Sequence, residues 1–282
     1  MLKRSLFFVL ILNLLFVPIT KAFDVFGFIP WKMEKDQKTI SDKEEITQIL
    51  SSYGIRKIDV IYHNRMLTNN NVDIEKIEKL ALSSKNVNYP ISFDLEIGNR
   101  NKPETVLPTL FSILDIYKAN GGNENIGVYS ILPQSSVGGI NLTSEKKLHL
   151  MNLNKKYEIL ASRINFLSPV FYFNDGENLD YWKKAVDFNM EQSLKIAKKY
   201  NLKIYPYITN AFRYNENNKK LTYIKTLTEE QMFDVLNYIK NKGADGVIIW
   251  AGSGTPYENG ELPKIKLSSP WFKGVVRFIN QK

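Results

Sequence analysis

Asp94 and Glu96 stand two residues apart at the end of the run Ile91-Ser92-Phe93-Asp94-Leu95-Glu96. Residues two apart on a strand share a face, so both carboxylates are expected to point into one pocket while Leu95 packs the other way. Two carboxylates in close company cannot both ionise cheaply, and one keeps a proton near neutral pH and can serve as a general acid. Glycosidic bond cleavage asks for such a pair: a proton for the leaving oxygen, and a second carboxylate facing the positive charge that develops. The same spacing also suits a helix cap, a salt bridge or a hard cation. Aromatic residues close four other strand-like runs, at Tyr129, Tyr172, Tyr207 and Trp250. Rings beside hydroxyls suit a sugar, whose C–H faces stack while its hydroxyls need partners.

Other chemistries lack material. The chain has 282 residues, two histidines and no cysteine. That leaves no thiol nucleophile, no disulfide frame, and no cysteine or multi-histidine metal centre. No Gly-x-Ser-x-Gly elbow accompanies His63 or His149, which are expected in a loop and on a helix face, and Gly252-Ser253-Gly254 lacks the flanking pattern. Neither a cofactor nor a resident metal is expected. The formal charge of +9 has no dense basic block, which argues against nucleic acid and mildly for an anionic partner. Lysine pairs such as Lys183-Lys184 and Lys198-Lys199 read as solvated helix faces.

These residues need a frame. Short β-branched or aromatic runs (24–28, 58–62, 90–95, 126–131, 170–173, 203–208 and 246–250) alternate with segments of helical period (42–53, 73–82, 102–119, 144–163, 179–200, 229–242 and 271–280). Capping boxes are expected at Asp42 with Glu45 and at Thr228 with Gln231, and Gly243 marks a helix end. Seven βα units without a break in composition predict one α/β domain over 23–282, a distorted TIM-like (β/α) barrel of about seven parallel strands. An open doubly wound sheet is the alternative. It fits less well because Phe28-Ile29-Pro30-Trp31 stands where a glycine-rich nucleotide fingerprint would follow the first strand. In a barrel, chemistry gathers at the C-terminal ends of strands, where Asp94, Glu96 and the four aromatics fall.

Residues 1–22 read as a secretory signal peptide: Lys3 and Arg4, an apolar run from Leu6 to Val17, and small residues at Thr20 and Ala22. A secreted or periplasmic protein without stable membrane insertion is expected. Its charge falls to about +6 once Lys3, Arg4 and Lys21 are removed. Asn141-Leu142-Thr143 would be a glycosylation acceptor in a eukaryotic host.

The ordered set Phe23-Asp24-Val25-Phe26 through Pro30, Phe93-Asp94-Leu95-Glu96, Gly127-Val128-Tyr129, Pro169-Val170-Phe171-Tyr172, Tyr205-Pro206-Tyr207 and Gly243 to Trp250 resembles the hyaluronidase family of glycoside hydrolases, the venom and sperm type. The likeness runs along most of the chain after the signal segment and is that of a cysteine-free, bacterial-type relative. It implies a retaining, substrate-assisted mechanism, in which the substrate's own N-acetyl carbonyl attacks the anomeric carbon. Glu96 would be the acid and then the base, and Asp94 and Tyr172 would orient the acetamido group. Tyr129, Tyr207 and Trp250 would line the sugar subsites of a polysaccharide substrate. The family follows its acidic motif with Trp-Arg-Pro; this chain has Ile97-Gly98-Asn99-Arg100, and Ala251 stands between Trp250 and the small-residue turn. These departures keep open a polysaccharide other than hyaluronan, and a non-catalytic carbohydrate-binding protein on the same barrel.

Overall fold

The computed structural model describes residues 22–134, 142–173, 177–215, 222–252 and 254–281. The expected signal peptide up to Lys21, Asn141 of the possible glycosylation acceptor and Ser253 lie outside the described residues.

The strand–helix alternation folds into seven parallel strands: β1 (Asp24–Phe28), β2 (Arg56–Lys57 and Asp59–Tyr62), β3 (Ile91–Asp94), β4 (Ile126–Tyr129), β5 (Phe166–Ser168), β6 (Lys203–Ile204 and Tyr207–Thr209) and β7 (Gly246–Trp250). Two strands change partner partway along. The first part of β2 pairs with β1 and the rest with β3. The first part of β6 pairs with β5 and the rest with β7, which returns to β1. The pairings therefore run round a distorted (β/α) barrel divided into a four-stranded and a five-stranded sheet.

Helices α1 (Lys43–Ser52), α2 (Ile74–Ser84), α3 (Leu107–Ala119), α4 (Ser144–Tyr157), α5 (Leu179–Tyr200), α6 (Glu229–Asn241) and α7 (Pro270–Ile279) supply the outer layer. The capping box forms in full at Thr228 and Gln231. At α1 Asp42 accepts from the Glu45 amide at 2.8 Å without the reciprocal bond. Gly243 has φ +92°, a conformation that costs a side-chain-bearing residue strain, and follows α6 where the chain reverses toward β7.

Strand alternation sorts the barrel residues into two cores. Outward residues such as Val25, Ile61, Phe93, Val128, Leu167 and Val247 pack with the helices. Inward ones, including Phe26, Val60, Phe166, Val170, Tyr207 and Ile248, fill the barrel, with Phe28, Tyr62, Tyr129, Tyr172 and Trp250 packed against them. Gly127 makes this filling possible, since a Cβ there would lie 2.2 Å from the Phe166 ring.

Two features differ from expectation. The fifth strand is Phe166–Ser168 rather than 170–173, because Pro169 has no N–H to continue the ladder; Val170 keeps one bridge, to Tyr207. The alternation of residue types in 170–173 still aims Tyr172 inward. A hairpin, Ala211–Asn215 against Thr222–Thr226, follows β6, and a small sheet joins Met33–Lys35, Lys38–Ile40 and Ile265–Lys266. Neither belongs to a βα unit, and both stand beyond the C-terminal ends of the barrel strands.

Candidate active site

Asp94 is the last residue of β3, opposite Tyr62 of β2. Glu96 follows just beyond the strand end and is exposed. A cavity of about 340 Å³ opens here, with Glu96, Tyr129, Tyr172 and Trp250 in its wall and Asn210 and Arg213 from the start of the hairpin. Tyr172 stacks on Trp250 with centroids 5.5 Å apart and planes 21° apart. The Trp250 indole N–H donates to the Tyr62 hydroxyl at 3.1 Å, which fixes the ring's tilt. The Tyr129 ring centre stands 6.3 Å from that of Tyr172, with the planes tilted 33°.

The six residues singled out by sequence thus occupy two depths. Glu96, Tyr129, Tyr172 and Trp250 share the cavity. Asp94 and Tyr207 lie below it. Tyr207 is 1% exposed and meets Tyr129 edge-on at 4.9 Å, so it supports that ring from beneath and offers no face of its own.

Burial pushes the Asp94 carboxyl up to about 7, the charge of Glu96 adds to this, and Arg100 opposes it. Asp94 has no ion pair among the described residues, and its Oδ1 is buried without a hydrogen-bond partner. Burial likewise raises Tyr129 to about 12 and Tyr172 well above its ordinary value, so both hydroxyls stay protonated and able to donate. For Tyr62 burial also leads; the Trp250 hydrogen bond opposes it, and the charges of Asp94 and Glu96 add to the rise.

The segment after Glu96 is anchored by Arg100. Its guanidinium donates to the Ser130 hydroxyl at 2.8 Å and carbonyl at 3.3 Å and lies 5.9 Å from the Tyr129 ring centre. Its own carbonyl accepts from the Tyr157 hydroxyl at 3.0 Å. The loop that departs from the Trp-Arg-Pro pattern therefore braces a cleft residue.

Sequence reasoning missed three residues of this site. Tyr62 closes a strand with an aromatic, the same signal that marked the other four. Asn210 is 1% exposed, lines the cavity, and its amide nitrogen has no hydrogen-bond partner. Arg213 is exposed and forms no ion pair among the described residues. Asn210 and Arg213 fall past the expected end of β6, on an insertion that no local period announces. His63 lies in a short turn after β2 and His149 on α4, 3.1 Å from the Asn101 side chain and away from the cavity wall.

No protein-family model matches this sequence, and no curated protein does either. Among solved structures the chain is similar to bee venom hyaluronidase, alone and in complex with a hyaluronic acid tetramer: TM-score 0.58 and 16% identity over 82% of this chain and 91% of that one. It is also similar to GH26C from a Muricauda species, with TM-score 0.51 and 8% identity over 93% and 86% of the two chains. A third match is a Cellulomonas fimi endo-β-1,4-mannanase double mutant, with TM-score 0.51 and 9% identity over 84% and 56%. The common ground is the fold, the (β/α) barrel of TIM-barrel glycosidases.

Proposed function

We propose that this chain is an exported, retaining glycoside hydrolase that cleaves an N-acetyl-hexosamine-containing, anionic polysaccharide by substrate-assisted catalysis, as the hyaluronidase-like motifs imply. The observation that carries the reading is an aromatic-walled cleft with Glu96 in its wall and, two residues before it, a half-buried Asp94 whose Oδ1 is buried with no hydrogen-bond partner among the described residues. The venom enzyme's complex with hyaluronic acid and the positive charge of the chain support an anionic substrate.

A sugar seated against Tyr172 and Trp250 excludes water from Glu96. Glu96 gives its proton to the glycosidic oxygen as the C1–O bond breaks, and the carbonyl oxygen of the neighbouring acetamido group bonds to C1, closing a cyclic cation. Asp94 faces the acetamido N–H and the charge formed there, and the Tyr172 hydroxyl holds the group in line. Glu96, now a carboxylate, takes a proton from water; the water oxygen attacks C1, the ring opens, and configuration at C1 is retained. Asn210 and Arg213 offer donors to hydroxyls or carboxylates on the hairpin side.

The test is the release of new reducing ends from a panel of glycosaminoglycans and bacterial polysaccharides. The parent chain is expected to cleave at least one, and Glu96→Gln to lose about 10²–10⁴-fold. Equal activity of the two would overturn the assignment of Glu96. Tight saccharide binding by the parent without turnover would make the chain a carbohydrate-binding protein instead.

A further inference from the structure

We propose that a second cavity, between β1 and β2, is a saccharide-binding subsite that takes an anionic sugar residue of the same polysaccharide chain whose scissile bond lies in the cleft. The proposal rests on the glycosidase reading for its substrate class, but its geometry stands apart from the carboxylates.

The cavity arises from strand pairing. β1 and β2 pair only through Phe26 with Arg56 and Gly27 with Lys57, after which β2 turns to β3. From Phe28 onward the edge of β1 that faces β2 is therefore unpaired, and Pro30, which has no N–H, blunts it against strand addition. Into this gap opens a space of about 570 Å³, within the range of small-molecule sites. Its walls carry Trp31, Tyr62 and Tyr89 together with Lys43, Lys57 and Arg65.

Rings and cations in one cavity suit a sugar that carries a carboxylate or sulfate. Lys57 lies 4.8 Å from the Tyr89 ring centre and pairs with Glu44 at 3.1 Å. Arg65 faces Asp59 at 3.7 Å. Lys43 has no ion pair among the described residues. These pairs are partly exposed, so they exchange readily for a ligand anion, and the cations in the wall outnumber Glu44 and Asp59.

Two residues join this space to the cleft. Trp31 lines both cavities as a buried wall between them, 4% exposed, with its indole N–H donating to the Gly252 carbonyl at 2.7 Å. Tyr62 walls the second cavity while its hydroxyl holds Trp250 in the first. A sugar seated beside Tyr62 thus bears on the ring against which the sugar in the cleft stacks.

Isothermal titration of hyaluronan and chondroitin oligosaccharides, from tetrasaccharide to decasaccharide, tests this in the full chain carrying Glu96→Gln. Thr47→Trp fills the cavity from α1, and Lys43→Glu reverses its unpaired charge at an exposed helix start where a glutamate suits the helix dipole. Each is expected to weaken the longer oligosaccharides on the order of tenfold and to leave the shortest bound ones unchanged. If both variants bind every length as the parent does, the subsite is overturned while the cleft reading stands. If the oligosaccharides bind with this length and charge dependence but the chain with Glu96 intact cleaves none of them, the subsite stands and the catalytic reading falls. Absence of binding at every length overturns the subsite.

Discussion

The two ends of the barrel interior are built from similar residues and treat them oppositely. At the N-terminal end Asp24 accepts from Arg56 at 2.5 Å and from the Tyr205 hydroxyl at 3.4 Å, and Asp245 accepts the Ile204 amide at 2.9 Å. Toward the C-terminal end the Ser168 hydroxyl and Asp94 Oδ1 are buried with no hydrogen-bond partner among the described residues, and the buried Ser92 and Tyr207 hydroxyls have no partner but each other. A buried polar atom left alone costs about 1–3 kcal/mol, so one such cluster on one side of the barrel is a concentrated cost. The lower carboxylate holds strands together; the upper one has no partner in the chain, and the proposed function assigns it to the substrate.

The largest expected effect separates these two aspartates. Asp94→Asn should lower polysaccharide cleavage about 10²–10⁴-fold while the fold persists. Asp24→Asn should leave cleavage within about twofold, and loss of its partly exposed ion pair should cost about 0–1 kcal/mol in denaturant unfolding. Comparable loss of turnover in both variants would erase the distinction.

A pH series sharpens it. Asp94 titrates near 7 when folded and about 3.9 when unfolded, so the folded state holds the extra proton between those values. Its contribution to stability is fully present below about pH 4 and is lost as pH rises toward about 7. Parent thermal midpoints, relative to those of Asp94→Asn, should therefore fall across that window and level above it. Curves that stay parallel from acid to neutral pH would show that burial does not hold the Asp94 proton.

Smaller effects probe the cleft wall. Tyr62→Phe leaves the Trp250 indole N–H unpaired, which should cost about 1 kcal/mol and raise KM several-fold through a loosened ring. Asn210→Leu should weaken substrate binding several-fold without loss of thermal stability, because its amide nitrogen has no partner to lose in the unliganded protein. A drop in melting temperature for Asn210→Leu alone would mark that residue as part of the frame.

Most of the frame was legible because strand and helix periods are local. Asp94 and Trp250 fall inward for the reason the alternation predicts, and Leu95 is 1% exposed in the outer core. The fifth strand was misplaced because Val170-Phe171-Tyr172-Phe173 is richer in strand-forming types than Phe166-Leu167-Ser168, whereas the ladder follows backbone donors, which Pro169 lacks. Tyr129 and Tyr207 illustrate the other limit. Both are tyrosines at inward strand positions, yet one lines the cleft and the other supports it, since depth along the barrel axis is set by how neighbouring strands are staggered.

By itself the sequence determined which residues share a face: the Asp-x-Glu pair, the inward aromatics and the alternation that separates inward from outward residues, all consequences of spacings only a few residues long. Only the tertiary structure decided the rest. It half-buried Asp94 and left Glu96 exposed, and brought Asn210 and Arg213 to the cleft. It also opened the gap between β1 and β2. Each of these depends on which distant strand a backbone edge meets and how far along it, a choice made by strand pairing and packing rather than by any local period.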